Sequence, residues 1–490
     1  MTYHEEFVTS RIVSQPSRTT TEVILVAFGL AFVMAAWKLL SATGEPQDIS
    51  MTDARAQEIV GLARPDRVCP DIVDRNGKPL VTTQTVVSGD ARTHQERTYF
   101  RADALGTVLG GTEVADGVVR QQMLAGLPDK TPGWPFLSWQ GWTMGPPPAI
   151  TTTLDSELCV GLHDLLVRQQ VYGCIIVGTP DGEILACVQN PCADITHMRE
   201  NTYVAQLAAA SKDSRVPALT NPWQWRVPPG STIKPFLDGV ARQNGVAPPD
   251  VECRGVTTEF GRPLHCHRVH GKIDTFAAAL AGSCNMFFFE LSCEPRMGGE
   301  LLVSYATACG LASPQLAGAQ CATAELPWAS AAPGTEARAL SFIGQGISVS
   351  PLGLMSAYAA ILFDGPPQWH LIGKLDGRPV AYPAPKAVFD SSVVRAVRAD
   401  MKAIAAYGTT TTSMASVRRY QPLIKTGTAE VGGSQGPDSW AVGSFSVGNA
   451  SYVMCCLVRN WTKEHPRAQA IAAQVISTVA KQTDPRARSG

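Results

Sequence analysis

The stretch Pro229-Gly230-Ser231-Thr232-Ile233-Lys234-Pro235 decides how this chain is interpreted, because it places a serine and a lysine three residues apart. If residues 231–238 begin a helix, that spacing puts both side chains on one face, where the lysine amine can reach the serine hydroxyl. A serine hydroxyl is a weak nucleophile until a base removes its proton. The stretch therefore predicts a nucleophile, Ser231, with its own base, Lys234, and Pro235 predicts an irregular first helical turn.

Two more polar segments follow in order along the chain, Ser283-Cys284-Asn285 and Lys425-Thr426-Gly427-Thr428. Lys234 must be neutral to act as a base, and from an ordinary pKa of ~10.4 this costs roughly 4.6 kcal/mol at pH 7. Burial and a neighbouring cation both lower a lysine pKa, and Lys425 is the candidate cation. Lys425 is also a candidate partner for a substrate carboxylate, to which the two threonine hydroxyls of its segment would add hydrogen bonds.

Ser283 and Asn285 stand just ahead of the apolar run 286–289, which predicts a turn or the start of a helix at this point. The Ser283 hydroxyl is a candidate proton relay, and the Asn285 amide is a candidate for positioning a substrate. Each polar segment alone has an ordinary structural interpretation, since a serine before a helix is commonly a cap. The ordered combination of all three favours a catalytic site.

Composition excludes several classes of protein. With 490 residues, 45% hydrophobic content and a formal net charge of -1, the chain has enough core for two domains and no basic character that would attract nucleic acid. The pair Gly344-x-Gly346 lacks the strand and third glycine of a phosphate-binding loop and predicts a turn. We therefore expect no nucleic-acid partner and no cofactor.

Residues 22–41 contain a long apolar segment. Val23–Trp37 carries no charge and the run continues through Lys38 to Leu40, which is enough to cross a bilayer if the lysine reaches the interface. A removable signal peptide is the alternative, because small residues follow the run, but the run exceeds the ~7–15 residues of a signal core. We expect a single-pass helix in the cell membrane, a cytoplasmic tail over residues 1–21, and the bulk of the chain outside.

The triplet Pro146-Pro147-Pro148 indicates a domain boundary, which divides a small N-terminal domain over residues 42–150 from a second domain over 151–482 and a tail over 483–490. In the second domain, strands and helices at both ends flank a helix-rich middle, which predicts an α+β fold with an antiparallel sheet packed with helices. Its predicted elements are the helices Leu154–Val167, Thr275–Leu291, Gly299–Cys309, Pro351–Ile361 and Arg467–Lys481, and the strands Gly173–Val177, Glu183–Val188, Leu423–Lys425, Ser439–Ser446 and Tyr452–Arg459, while the N-terminal domain contains one alternating stretch, Val81–Val87.

The 13 cysteines all lie after residue 68, as expected if that part of the chain is outside the cell, and their odd number leaves at least one unpaired. Cys187 with Cys192 and Cys253 with Cys266 are candidate disulfides, although sequence does not fix the pairing. The segment 265–270 contains three histidines and one cysteine, but it lacks paired C-x-x-C spacing. A disulfide or a polar loop is therefore favoured there over a zinc site, and we expect no metal.

The three polar segments together resemble the S-x-x-K, S-x-N and K-T-G set of penicillin-binding proteins and serine β-lactamases. Flanking matches narrow the resemblance to class B penicillin-binding proteins with a short N-terminal pedestal domain, and it covers about Asp74 to Asn460. These matches are Arg75-Asn76-Gly77-Lys78-Pro79-Leu80, Thr153-Leu154-Asp155, Leu219-Thr220-Asn221, Pro228-Pro229-Gly230-Ser231, Gly344-Gln345-Gly346 with Pro351-Leu352, and Thr428-Ala429-Glu430.

This resemblance implies a membrane-anchored D,D-transpeptidase that cross-links peptidoglycan. Ser231 would attack the carbonyl of the penultimate D-Ala of a stem peptide, Lys234 would take its proton, and Ser283 would pass a proton to the departing D-Ala. The backbone N–H groups of Ser231 and Thr428 would form the oxyanion hole. The resemblance also implies inhibition by β-lactams and a membrane-embedded glycan polymerase of the SEDS type as a partner. The remaining implied site residues are Asn285, Lys425, Thr426 and Gly427.

Other functions are compatible with the same segments. A D,D-carboxypeptidase or a β-lactamase would transfer the acyl group to water, but the predicted anchor, the N-terminal domain and the class B matches argue against both. A scaffold without activity is a further alternative, although none of the three segments is broken. The chain departs from the family where Pro222 and Trp223 follow Asn221 in place of an arginine, which predicts different interdomain contacts there.

Overall fold

The computed structural model describes residues 71–87, 93–110, 149–198, 200–431 and 436–483. Its strands are β1 (Ile72–Val73), β2 (Pro79–Val87), β3 (Thr93–Tyr99), β4 (Ile150–Thr152), β5 (Gly173–Gly178), β6 (Ile184–Asn190), β7 (Val251–Cys253), β8 (Val256–Thr257), β9 (Leu264–His265), β10 (Gly271–Ile273), β11 (Ile372–Leu375), β12 (Arg378–Pro379), β13 (Leu423–Ala429), β14 (Asp438–Val447) and β15 (Ala450–Val458). Its α-helices are α1 (Ala102–Leu109), α2 (Ser156–Arg168), α3 (Asn201–Ser214), α4 (Lys234–Gln243), α5 (Phe276–Gly282), α6 (Asn285–Ser292), α7 (Gly299–Ala308), α8 (Glu336–Ser341), α9 (Pro351–Leu362), α10 (Ser391–Tyr407) and α11 (Ala468–Thr483). Short 3-10 helices span Pro222–Gln224, Gly230–Ile233, Pro295–Met297 and Ala415–Tyr420.

A five-stranded antiparallel sheet in the order β13-β14-β15-β5-β6 forms the centre of the fold. Consecutive residues of β14 and β15 are buried on both faces, which requires a layer of helices on each side of the sheet. Helices α2 and α11 pack together in one layer, and α9, α4 and α10 pack together in the other. The α+β fold with an antiparallel sheet packed with helices is therefore confirmed.

The helices begin where the sequence offers caps. The Asp155 carboxylate accepts the Leu158 backbone N–H at the start of α2, and the Ser350 hydroxyl accepts the Gly353 N–H at the start of α9. Pro351 occupies the first turn of α9, where its missing N–H costs nothing. Every residue of α9 is buried, because this helix packs against β14 and β15 of the central sheet and against α4.

A second sheet, in the order β12-β11-β4-β1-β2-β3, joins distant parts of the sequence. Strand β1 pairs with β2 on one side and with β4 on the other, while β4 also pairs with β11. Leu80 and Leu105, from the N-terminal part of the described chain, belong to the same hydrophobic core as the central sheet. The domain boundaries inferred from sequence stay a prediction.

The helix predicted over Thr275–Leu291 is wrong in one respect, because two helices occupy this range. Helix α5 ends at Gly282, and Ser283 adopts a left-handed conformation with φ 51° before α6 begins at Asn285. A left-handed residue ends the hydrogen-bond pattern of the preceding helix. The apolar periodicity continues across this break and predicts one helix, whereas the turn or helix start expected at Ser283 and Asn285 is confirmed.

The predicted membrane segment over residues 22–41 lies outside the described residues, as does the proline triplet at 146–148. No helix within the described ranges combines the length and apolar character needed to span a bilayer.

Both candidate disulfides are wrong, because none of Cys187, Cys192, Cys253 and Cys266 forms a disulfide bond. Cys187 lies in β6, buried within the central sheet, and the Cys192 thiol contacts the Thr107 hydroxyl at 3.7 Å.

Candidate active site

The turn that carries Ser231 is a 3-10 helix, Gly230–Ile233, which leads directly into α4. Pro235 lies in the first turn of α4 and has no backbone N–H to donate, so the chain tightens before the regular helix begins. The irregular first turn predicted from Pro235 is therefore confirmed. Ser231 is partly exposed, whereas the Lys234 side chain is completely buried.

Strand β13 lies directly against this turn, and two glycines allow the contact. A Cβ atom on Gly427 would lie 2.7 Å from the Pro229 carbonyl oxygen, and one on Gly230 would lie 2.6 Å from the Thr428 carbonyl oxygen. Both distances are too short for carbon and oxygen, and Gly230 also has a φ of +55° that favours glycine. Glycine at these two positions thus permits the close approach of the edge strand to Ser231.

Two buried aromatic side chains fix the position of the turn. The Trp440 indole N–H donates to the Pro228 carbonyl at 2.9 Å, and the Tyr358 hydroxyl donates to the Thr232 carbonyl at 2.8 Å. Trp440 belongs to β14 and Tyr358 to α9, so the turn is bonded to the central sheet and to the buried helix beneath it. Both side chains are fully buried, which makes these bonds insensitive to solvent.

The Lys234 amine lies in a polar pocket formed by the junction of α5 and α6. Its Nζ atom donates to the Asn285 Oδ1 at 2.7 Å and to the Ser283 carbonyl at 2.9 Å, and it lies 3.5 Å from the Ser283 Oγ. Among the described residues, none of its hydrogen bonds goes to the Ser231 hydroxyl. The structure thus brings Lys234 to the second polar segment, while Ser231 remains its neighbour through the turn that carries both.

Lys425 lies in β13 and contacts the Ser283 hydroxyl from the other side of the site. Its Nζ donates to the Ser283 Oγ at 3.0 Å and to the Thr426 carbonyl at 2.8 Å, and its side chain is fully buried. The Ser283 hydroxyl therefore lies between two amines that come from different parts of the fold. One hydroxyl can accept from one amine and donate to the other, so a proton can pass along this row.

Burial lowers the pKa of both lysines. For Lys234 the pKa falls to about 8, because the charged amine has lost its hydration. For Lys425 the pKa is well below its ordinary value, first because of burial and then because of the positive charge on Lys234. Two amines this close do not both hold a proton easily, so the pair titrates as a unit in which one member is neutral.

Two backbone N–H groups close to Ser231 are the predicted oxyanion-hole donors. In the part of the chain that the structure describes, the Ser231 N–H has no backbone acceptor. Thr428 directs its carbonyl at Gly230, away from β14, and in an extended strand the N–H of the same residue points to the same side. The Thr428 N–H therefore lies on the free edge of β13, as an oxyanion hole requires.

The other predicted residues of the third segment differ in their surroundings. The Thr428 side chain is exposed, whereas the Thr426 hydroxyl is partly buried and lies 3.3 Å from the Thr409 hydroxyl. Gly427 contributes its small size, which permits the close approach to Pro229.

The sequence analysis missed the contacts that hold Asn285. Its side-chain amide donates to the His265 carbonyl at 3.0 Å, and its backbone N–H donates to the Cys266 Sγ at 3.2 Å. The segment 265–270 was conspicuous for its histidines and cysteine, but its proximity to Ser283 depends on the tertiary fold. A distant segment of this kind is recognised only once the fold is known.

Comparison with known proteins decides the family. Residues 173–479 match the family model described as the penicillin-binding protein transpeptidase domain. The chain belongs to this family. No curated protein sequence is significantly similar to the chain.

Solved structures of penicillin-binding proteins share the fold. A D,D-transpeptidase domain of a peptidoglycan glycosyltransferase from Eggerthella lenta is 21% identical, with a TM-score of 0.67 over 85% of this chain and 98% of that one. Penicillin-binding protein A from M. tuberculosis, as an imipenem acyl-enzyme, is 20% identical, with a TM-score of 0.67 over 84% and 98%. Penicillin-binding protein 2 from Pseudomonas aeruginosa is 20% identical, with a TM-score of 0.65 over 85% and 97%. At these identities, the likeness establishes the penicillin-binding protein fold.

Proposed function

We propose that this chain is a peptidoglycan D,D-transpeptidase that cross-links stem peptides through an acyl-serine intermediate and binds penicillins at the same serine. The observation that carries the proposal is the row of Lys234, the Ser283 hydroxyl and Lys425, assembled from three distant segments next to the turn of Ser231. A row of amine, hydroxyl and amine beside a partly exposed serine supplies a nucleophile, a base and a proton relay.

In the first half of the reaction, the Ser231 oxygen attacks the carbonyl carbon of the penultimate D-Ala, and neutral Lys234 takes the proton. The negative charge that develops on the carbonyl oxygen is stabilised by the N–H groups of Ser231 and Thr428. Collapse of this intermediate breaks the bond to the terminal D-Ala, whose nitrogen receives a proton through Ser283. The product is an ester between Ser231 and the shortened stem peptide.

In the second half, the amine of a neighbouring stem peptide attacks the ester carbonyl and gives up a proton through the same row of groups. The new amide bond forms and the Ser231 hydroxyl is restored. Asn285 holds the acyl donor in both halves, whereas Lys425 with Thr426 and Thr428 binds the carboxylate of the terminal D-Ala in the first half, before that residue departs. A β-lactam that enters the same site acylates Ser231, and it remains there when no amine displaces it.

The choice between transpeptidation and hydrolysis depends on the acceptor. Supplying the enzyme with a donor stem peptide and an amine acceptor is expected to give the cross-linked dimer as the main product in a mass-spectrometric assay. The Ser231→Ala variant is the control, and it should give neither dimer nor shortened peptide. A wild-type product consisting only of the shortened monomer would assign the chain as a carboxypeptidase, and an absence of both products would favour the scaffold.

We also propose that the enzyme is a class B member, held in the cell membrane by residues 22–41 with its catalytic domain outside the cytoplasm. The long apolar run supports this. A membrane-embedded glycan polymerase of the SEDS type is the proposed partner, which the anchor and the N-terminal region contact. Exchange of residues 22–41 for an unrelated anchor is expected to reduce recovery of the polymerase in a pull-down at equal expression. Undiminished recovery would exclude the anchor contact.

A further inference from the structure

Three cysteines and one histidine lie close together next to the Ser283-Cys284-Asn285 loop. Cys253 is the last residue of β7, and His270 immediately precedes β10, with which β7 pairs. Cys266 follows β9 on the same antiparallel ribbon, where its backbone N–H donates to the Gly255 carbonyl at 2.8 Å. Cys284 comes from elsewhere, since it separates Ser283 from Asn285 at the junction of α5 and α6. The four residues thus connect a surface ribbon to the loop that carries Ser283.

The potential ligand atoms of these four residues all lie within 4.8 Å of one another. The His270 Nδ1 lies 3.4 Å from the Cys253 Sγ and 3.5 Å from the Cys266 Sγ. A tetrahedral zinc ion, with bonds of about 2.3 Å to sulfur and about 2.0 Å to nitrogen, separates its ligand atoms by roughly 3.5–3.8 Å. The observed sulfur-to-nitrogen distances therefore match the edges of a zinc tetrahedron.

The orientation of His270 favours metal binding by its Nδ1 atom. Its Nε2 lies 2.9 Å from the Gly282 carbonyl oxygen, so this nitrogen carries the hydrogen and donates. The Nδ1 lone pair is then directed at the sulfur atoms, and a histidine that ligates a metal usually has its other nitrogen held in this way. A Cβ on Gly282 would lie 3.0 Å from the His270 ring, so the small residue permits this close contact.

The donor set distinguishes a metal site from a disulfide. A disulfide between two of the cysteines would use only two of the four converging groups. It would not explain why a third thiol and an imidazole nitrogen lie beside them. Three sulfur atoms and one imidazole nitrogen form the Cys3His set that selects zinc in structural sites. Cys253 and Cys284 are fully buried, and the Asn285 N–H donates to the Cys266 Sγ, as backbone N–H groups do to zinc-bound thiolates.

We propose that Cys253, Cys266, His270 and Cys284 bind one structural Zn²⁺ ion, which joins the ribbon of β7–β10 to the Ser283-Cys284-Asn285 loop. All four positions are occupied by the protein, so the ion takes no part in the chemistry. Its effect is on geometry, because Ser283 and Asn285 flank one of the ligands and both contact Lys234. The inference goes beyond the proposed function, since the ion would be present whether or not the enzyme turns over.

Elemental analysis of the full-length chain, purified without chelators, tests the proposal. One zinc per chain is expected, and replacement of the ion by Co²⁺ should give the intense visible absorption of tetrahedral cobalt thiolate sites. Cys253→Ser and Cys266→Ser are expected to lower the zinc content at least about tenfold, since each removes one of four ligands. Cys321→Ser is the matched control, because this partly buried thiol lies outside the cluster, and it should retain the ion.

Several results would overturn the proposal. Metal-free chain with all thiols free, iron in place of zinc, or a Cys253–Cys266 disulfide detected by peptide mapping would each exclude a zinc site. The stoichiometry and the cobalt spectrum need no variant, so they are decisive even if the serine variants fold poorly. Measuring both also on Ser231→Ala separates the two proposals, because zinc should stay bound to a chain that has lost its nucleophile.

Discussion

Replacing Ser231 by alanine is expected to abolish covalent labelling by a fluorescent penicillin. The acyl-enzyme is an ester to this oxygen, so without it no bond can form, however well the ligand is bound. Ser231 is the partly exposed member of a turn whose other residues are buried, so its hydroxyl is accessible beside the row of amines. Intact-protein mass spectrometry after incubation with penicillin should show an adduct on the wild type and none on the variant.

A second serine provides the control for this experiment. Ser304 lies on an exposed face of α7, where its hydroxyl donates to the Leu301 carbonyl at 2.8 Å. The Ser304→Ala variant should label as the wild type does, with the same thermal midpoint. Labelling of Ser231→Ala at the wild-type level would mean that another residue is the nucleophile, and the assignment of this turn would then be wrong.

Replacing Lys234 by methionine is expected to slow penicillin acylation by about 10²–10⁴-fold, the usual contribution of a positioned general base. Methionine fills a similar volume, so the buried pocket keeps its packing while the amine is removed. The loss should appear in the acylation rate, measured by stopped-flow or quench with labelled penicillin. Lys402→Met, an exposed substitution on α10, is the matched control and should leave the rate unchanged.

The pH dependence tests the same role. Because the pKa of Lys234 is lowered to about 8, its neutral form increases as pH rises through that value, and wild-type acylation should accelerate over this range. The thiols of Cys266 and Cys284 contribute to the field at this amine, and the charge on Lys234 in turn lowers the pKa of Lys425, so the macroscopic pKa belongs to the group. Lys234→Met should lose this rise. An unchanged pH profile in the variant would show that the titrating base is another group.

The sequence was a good guide where local pattern determines structure. The strands β5, β6, β14 and β15 and the helix α11 follow the predicted ranges closely, because their apolar runs are long and bounded by turn residues. The sequence alone predicts that the three polar segments form one site, because their order is specific to a family. The row of Lys234, Ser283 and Lys425 shows that the segments do meet.

Other features of the site could not be predicted from pattern. Ser283 adopts a left-handed conformation where α5 ends and α6 begins, and serine carries no local signal for it. The partners of the Lys234 amine were also unexpected, since its hydrogen bonds go to Ser283 and Asn285. The segment 265–270 lacks C-x-x-C spacing, so the sequence does not favour a zinc site there. Cys253 and Cys284 lie outside this segment and reach Cys266 and His270 only through the fold.

The sheet that contains β1, β2, β4 and β11 has a practical consequence for dissecting this protein. A backbone cut between residues 110 and 149 would leave two pieces held by the β1–β4 ladder, by the Arg101 to Asp164 ion pair at 2.7 Å, and by the Asn221 to Thr107 hydrogen bond at 3.0 Å. A recombinant fragment that starts at residue 151 would strip a strand partner from the sheet and uncover the apolar surface beneath α1. Fragments for crystallisation or inhibitor screening should therefore start before Asp71.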